Sequence, residues 1–147
     1  DAVEAADGAL YTSGMFAWAG NAGAPGGFHR IRRNEKPANL PLAIHAARGA
    51  LTVTFSDPLD PASVQPDAFA LKAWSLKRSA NYGSSHVDEH PLAIAGAKLG
   101  TDGRTVTLEV PTLAPTQCYE LLTRLRAPDG TAIERAIHGT IHALAEK

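Results

Sequence analysis

Hydrophobic and polar positions alternate in steps of two over most of the chain from Leu51 to Ile141. Leu51, Val53 and Phe55 alternate with Ala50, Thr52 and Thr54, the period of a half-buried β-strand. Val106, Leu108 and Val110 alternate with threonine and glutamate, and Tyr119, Leu121, Thr123 and Leu125 stand opposite Glu120, Arg124 and Arg126. Ile133, Ile137 and Ile141 predict a last strand pair or one long bent strand. The run from Ala68 to Leu76 departs from this regularity, with Phe69 and Leu71 on one side and Trp74 and Leu76 on the other. Such a change of face predicts a bulge, or a strand passing from core to edge. No segment sustains a 3.6-residue period, which excludes a helical bundle.

The connectors fit an antiparallel arrangement. Thr101-Asp102-Gly103 and Pro128-Asp129-Gly130 are tight-turn sequences in which glycine supplies a positive φ. Between Phe55 and Phe69, Asp60 is placed to cap and Pro61 to open a single helical turn. Roughly seven short strands separated by such turns predict an all-β, antiparallel immunoglobulin-like or fibronectin-like β-sandwich over residues 41–147. Residues 1–40 differ: glycines at 8, 14, 20, 23, 26 and 27, with Pro25 and Pro37, make turn chemistry dominant. They are expected to form a glycine-rich arm or linker.

Composition narrows the partners. At 147 residues, 44% hydrophobic and 20% charged, the chain is a globular domain large enough to bury a core unaided. A net charge of −1 argues against nucleic acid and anionic membrane, both of which select a basic excess. No apolar run is long enough to span a bilayer. The residues following Asp1 show no basic segment leading into an apolar run, so no secretory leader is read in them. Cys118 is the single cysteine, which excludes an internal disulfide and a Cys-x-x-Cys-His haem attachment.

Residues 51–71, LTVTFSDPLDPASVQPDAFAL, resemble the opening of bacterial immunoglobulin-like domains attached to secreted proteins, and TDGRTVTLEVPTLAPTQCYELLTRLRAPDG resembles their second half. A narrower resemblance rests on GALYTSGMFAWAGN, PGGFHRIRRNEKP, DPLDPAS, Trp74, Asn81 to Ser84 (NYGS) and GTIHAL. These pieces resemble the C-terminal region of large secreted haem-c proteins in which a sorbosone-dehydrogenase-like β-propeller is joined to cytochrome c modules. The resemblance implies that residues 1–36 are the propeller's tail or exit linker. It also implies an extracytoplasmic location and, as partners, the neighbouring propeller and cytochrome c domains of a redox or carbohydrate-processing parent. It supplies no catalytic residue and no cofactor for this segment.

Candidate chemistry is sparse. His138 and His142 would share a face on a helix, but Gly139, Thr140 and Ile141 favour an extended segment, where ~13 Å would separate them, too far for one metal. His86 and His90 enclose Asp88 and Glu89 in what reads as a polar loop. A solvated loop is the expected reading and a metal site the alternative, since a third ligand would have to come from elsewhere. Asp57, Asp60 and Asp67 lack EF-hand spacing and are expected to serve turns and caps. There is neither a Gly-x-Ser-x-Gly elbow nor a His-Glu-x-x-His motif, and Cys118 reads as a half-buried, inert thiol.

Two surface features remain. His29, Arg30, Arg32, Arg33 and Lys36 form the densest charge cluster, expected to be a solvated linker or a seam toward an adjoining module. Phe16, Trp18, Phe28, Trp74 and Tyr82 fall in glycine-rich or loop-adjacent stretches. Exposed, such rings would stack on sugar faces; alternatively, Trp74 fills the sandwich core while Trp18 and Phe28 pin the arm. The leading expectation is a non-catalytic accessory domain. The alternatives are a carbohydrate-binding module using Trp18, Trp74, Tyr82 and Asn81, and a metal-binding domain using His86 and His90.

Overall fold

The computed structural model describes residues 1–15, 26–32, 34, 36–80 and 82–146, the side chain of Met15 excepted. Phe16, Trp18, Arg33 and Asn81, all singled out above, lie outside the described residues. The chain divides into two units, Asp1–Lys36 and Pro37–Lys147.

The second unit is an all-β antiparallel sandwich. One sheet is ordered β4 (Pro41–Ala47), β5 (Ala50–Phe55), β9 (Thr105–Glu109) and β8 (Gly96–Leu99). The other is ordered β11 (Ala132–Ile141), β10 (Thr116–Arg126), β6 (Phe69–Lys77) and β7 (Ser85–Leu92). The alternation seen in the sequence becomes burial: Leu51, Val53, Phe55, Val106 and Leu108 of the first sheet meet Phe69, Leu71, Tyr119, Leu121, Leu125 and Ile133 of the second in one core. Each such side chain, fully withdrawn from water, contributes about 1.5–3 kcal/mol. Across the first sheet's outer surface the intervening threonines pair, Thr52 with Thr107 at 3.3 Å and Thr54 with Thr105 at 3.2 Å between hydroxyls.

Loop chemistry closes the ends. Asp60 caps the 3-10 turn Pro61–Ser63 by accepting from the Ala62 N–H at 3.0 Å. The Ser63 hydroxyl donates to the Asp60 carbonyl and accepts from the Arg126 N–H, fastening this connector to the end of β10. Leu59 and Val64, on either side of that turn, plug the core. Asp57 accepts from the Ser56 hydroxyl and the N–H groups of Asn39 and Ala38, and the Ser56 bond above all holds its carboxyl below the usual range. Asp57 and Asp60 thus hold turns and caps, while Asp67 is exposed in the second 3-10 turn, Pro66–Ala68. Gly103 and Gly130 take φ of 68° and 86° in the two predicted tight turns.

The first unit carries sheet structure that its glycine content does not announce. Here β1 (Ala2–Glu4), β2 (Leu10–Met15) and β3 (Gly26–Ile31) form a three-stranded antiparallel meander. Tyr11 and Phe28 stack with ring centroids 5.8 Å apart, and the Arg30 guanidinium lies over Tyr11 while pairing with Asp7. His29, Arg32 and Lys36 are exposed.

Candidate functional site

The change of face in β6 is resolved by its neighbour. Ala73 pairs with His90 and Ser75 with Val87, so Asp88 and Glu89 together oppose Trp74 in a β-bulge. Asp88 takes φ of 56° there, a conformation short polar side chains tolerate, and its carbonyl faces the His90 Nδ1 at 2.7 Å. His86 and His90 therefore stand on an edge strand flanking a bulge. The loop expected from their polarity is corrected: both faces of β7 are largely exposed, so the strand shows no apolar alternation.

The bulge delivers Glu89 to the outer face of the sheet, where side chains from four strands meet. Register places His138, Glu120 and Lys72 in one row across β11, β10 and β6. Lys72 Nζ lies 3.3 Å from a Glu89 oxygen and 3.4 Å from a Glu120 oxygen. His86 Nδ1 lies 3.3 Å from Glu89, and His138 Nε2 lies 3.6 Å from Glu120. The bonds from His86 first, then Lys72, hold the Glu89 carboxyl below its ordinary value, and Glu89 in turn raises Lys72.

Trp74 is the floor of this face. Its register partner is Cys118, out of phase with the core pair Tyr119 and Ala73, so the indole projects away from the inter-sheet core. It is nevertheless only 8% exposed. The His86 ring stacks on it at 4.7 Å between centroids, and the Lys72 ammonium stands 5.4 Å from its centroid. Trp74 is thus neither the filler of the sandwich core nor an exposed stacking surface for sugar. Its Nε1 is buried and, among the described residues, without a hydrogen-bond partner.

The arrangement disfavours a metal on this face. The groups form a chain, His138–Glu120–Lys72–Glu89–His86, in which the Lys72 ammonium stands between the two carboxylates and each imidazole lies at an outer end. Among the described residues, no group of three His, Cys, Asp or Glu side chains comes together to hold an ion. His142 follows the end of β11, so His138 and His142 lie along an extended segment as expected. Tyr82, by contrast, is fully exposed. Cys118 is half-buried on β10. The row of Glu120, Lys72 and His138 escaped sequence reasoning because its members lie on three strands; only alternate polar positions hint at it.

No family model and no curated protein matches this chain. Among solved structures, the S-layer protein rSbsC(31-844) is similar with a TM-score of 0.52 at 18% identity, over 71% of this chain and 14% of that one. The N-terminal part of the bacterial S-layer protein SbsC gives 0.49 at 19%, over 67% and 23%. CopC from Methylosinus trichosporium OB3b gives 0.38 at 24%, over 67% and 79%. The first of these is a likeness of fold, and the chain spans a small part of that S-layer protein's length. Among the described residues, no helix is long and apolar enough to cross a membrane.

Proposed function

We propose that the chain is a non-catalytic accessory domain of a secreted multidomain protein, its sandwich attached through the strand-bearing arm to a neighbouring β-module. The observation that carries this reading is the state of the arm. Its three strands leave Val3, Phe28 and Ile31 64%, 74% and 52% exposed, and among the described residues of the arm Ala9 is the buried apolar one. A sheet of three short strands whose described apolar side chains are mostly exposed is marginal alone and gains stability when another module covers it.

A propeller module suits that need. Propeller blades are four-stranded antiparallel sheets that pack face to face, and an antiparallel meander such as β1–β3 has the geometry to join one. This supports the parent protein implied by the sequence resemblance, a propeller joined to cytochrome c modules in a redox or carbohydrate-processing enzyme. The fold likeness to a domain of an S-layer protein supports an extracytoplasmic location. A non-catalytic role agrees with an outer face whose carboxylates are committed to Lys72 and the histidines.

Hydrogen exchange tests the reading. Amides of residues 2–4, 10–15 and 26–31 should exchange rapidly in this chain alone and become protected when the preceding module of the parent is joined to it. Equal protection in both contexts would remove the ground for a docked arm.

A further inference from the structure

Beyond the docking role, and standing or falling separately from it, the far end of the β11-β10-β6-β7 sheet holds a cleft of about 920 Å³. We propose that it binds a carboxylate-bearing saccharide, a uronate within a glycan chain. The cleft exists because the ladder comes apart there. Pairing of β10 with β6 stops at Cys118 and Trp74, and the register of β10 with β11 shifts between Thr116 and Tyr119. Past that point the Leu76 N–H finds no main-chain partner on β10 and donates to the Gln117 Oε1 at 2.7 Å.

The lining is rich in donors. Fixing the Gln117 oxygen on β6 leaves its Nε2 with two N–H groups to offer. Arg78 follows β6, Ser84 precedes β7 and His142 follows β11, and all three line the cleft. Arg78 forms no ion pair among the described residues, and no carboxylate lines the cleft; Asp88 lies in the adjoining groove, on the other side of Thr116 and Gln117. A guanidinium whose planar fork faces no internal acid selects an oxyanion.

The remaining lining speaks for a sugar carrying that oxyanion rather than for a bare ion. Thr140 donates its hydroxyl hydrogen to the Gln117 carbonyl at 2.7 Å, and Thr116 donates its own to the Cys118 carbonyl at 3.0 Å. Both oxygens keep lone pairs that accept from ligand hydroxyls. Leu76, Pro115 and Ile141 supply apolar wall, which suits the C–H faces of a pyranose. The space, about 920 Å³ and largely open to solvent, is more than one inorganic anion fills and suits a ligand laid along the surface. Tyr82, two residues before Ser84, is an exposed ring on the loop leading into the site.

The test is a nitrogen-edited NMR titration of the whole chain with a galacturonate trimer, a mannuronate trimer, the methyl ester of the galacturonate trimer, and inorganic phosphate. The expected result is a saturable shift of the Arg78 and Gln117 side-chain resonances and of Thr140 and His142 amides with a uronate trimer. The ester should bind about tenfold more weakly, the loss of one charge-assisted contact. Arg78→Gln and His142→Gln, both at exposed positions, should weaken binding while leaving the rest of the spectrum in place. No saturable shift with either trimer overturns the site. Equal binding of ester and acid overturns the role of Arg78, and phosphate binding as well as the trimers overturns the saccharide.

Discussion

The Tyr119 ring lies over Gly139. The two residues are register partners on β10 and β11, and a methyl group at position 139 would fall 2.6 Å from the Tyr119 hydroxyl oxygen and 2.7 Å from its Cε1. The glycine is therefore needed for space: an aromatic ring fills the core-facing place its side chain would take. Gly139→Ala should displace the ring and destabilise the sandwich by about 1–3 kcal/mol. Urea unfolding of the two proteins measures this, and an unchanged midpoint would show that the ring is free to move aside.

The same tyrosine predicts an alkaline limit. Burial raises the Tyr119 hydroxyl above its ordinary value of 10.0. With the folded pKa raised, the unfolded state loses its proton first, so the stability tied to the neutral phenol is complete below about pH 10 and declines as pH climbs beyond it. Tyr119→Phe, which cannot ionise, should shed that component of the alkaline decline. Thermal melting of both proteins between pH 9 and pH 11 (about one unit either side of an ordinary tyrosine) checks the difference.

At the acid end the turn residue Asp102 acts in the opposite sense. It accepts from the Thr105 hydroxyl at 2.6 Å and from the N–H groups of Arg104 and Thr105 at 3.0 Å, and these bonds bring its pKa from 3.8 to about 2. Because the folded value is depressed, the associated stability is present above pH 3.8 and disappears as pH falls through about 2. Asp102→Asn should flatten this part of the acid limb. Unfolding midpoints across that window that coincide for the two proteins would contradict it.

Trp74 separates packing from hydrogen bonding. Trp74→Ala removes the floor under His86 and Lys72 and should cost about 3 kcal/mol or more. Trp74→Phe keeps an aromatic surface while removing a buried N–H that lacks a partner, so it should change stability by less than about 1 kcal/mol. Denaturation of both variants gives the comparison; equal losses would mean that the indole nitrogen has a partner.

Lys72 links the two carboxylates of the outer face. With the ammonium in place between Glu89 and Glu120, zinc should show no saturating heat in calorimetry. Lys72→Ala should behave alike, since among the described residues no three His, Cys, Asp or Glu side chains stand together to hold an ion. Zinc binding by the unaltered chain, lost in His86→Gln, would reverse the assignment.

Much of the sandwich is legible in the sequence. Strands β5, β9, β10 and β11 follow from alternation of apolar with polar residues, because a strand buried on one face by a facing sheet must carry that period. The turns at Gly103 and Gly130 and the Asp60 cap are equally local, since each depends on the φ or hydrogen bonding of a few neighbouring residues. Edge strand β7 was not legible: with both faces near water, nothing constrains its pattern, and SHVDEHPL resembles a loop. The meander of the arm is hidden for the same reason.

What only tertiary structure decided is which side chains share a face. Trp74 leaves the core because of its parity on β6, and it is covered because two residues of β7 oppose it. His138, Glu120 and Lys72 become neighbours through register between strands far apart in sequence, and a slip of one residue would send each to the opposite face. Side-chain period is a property of one strand and is written in it. Register belongs to pairs of strands, and its energy comes from the core they close together.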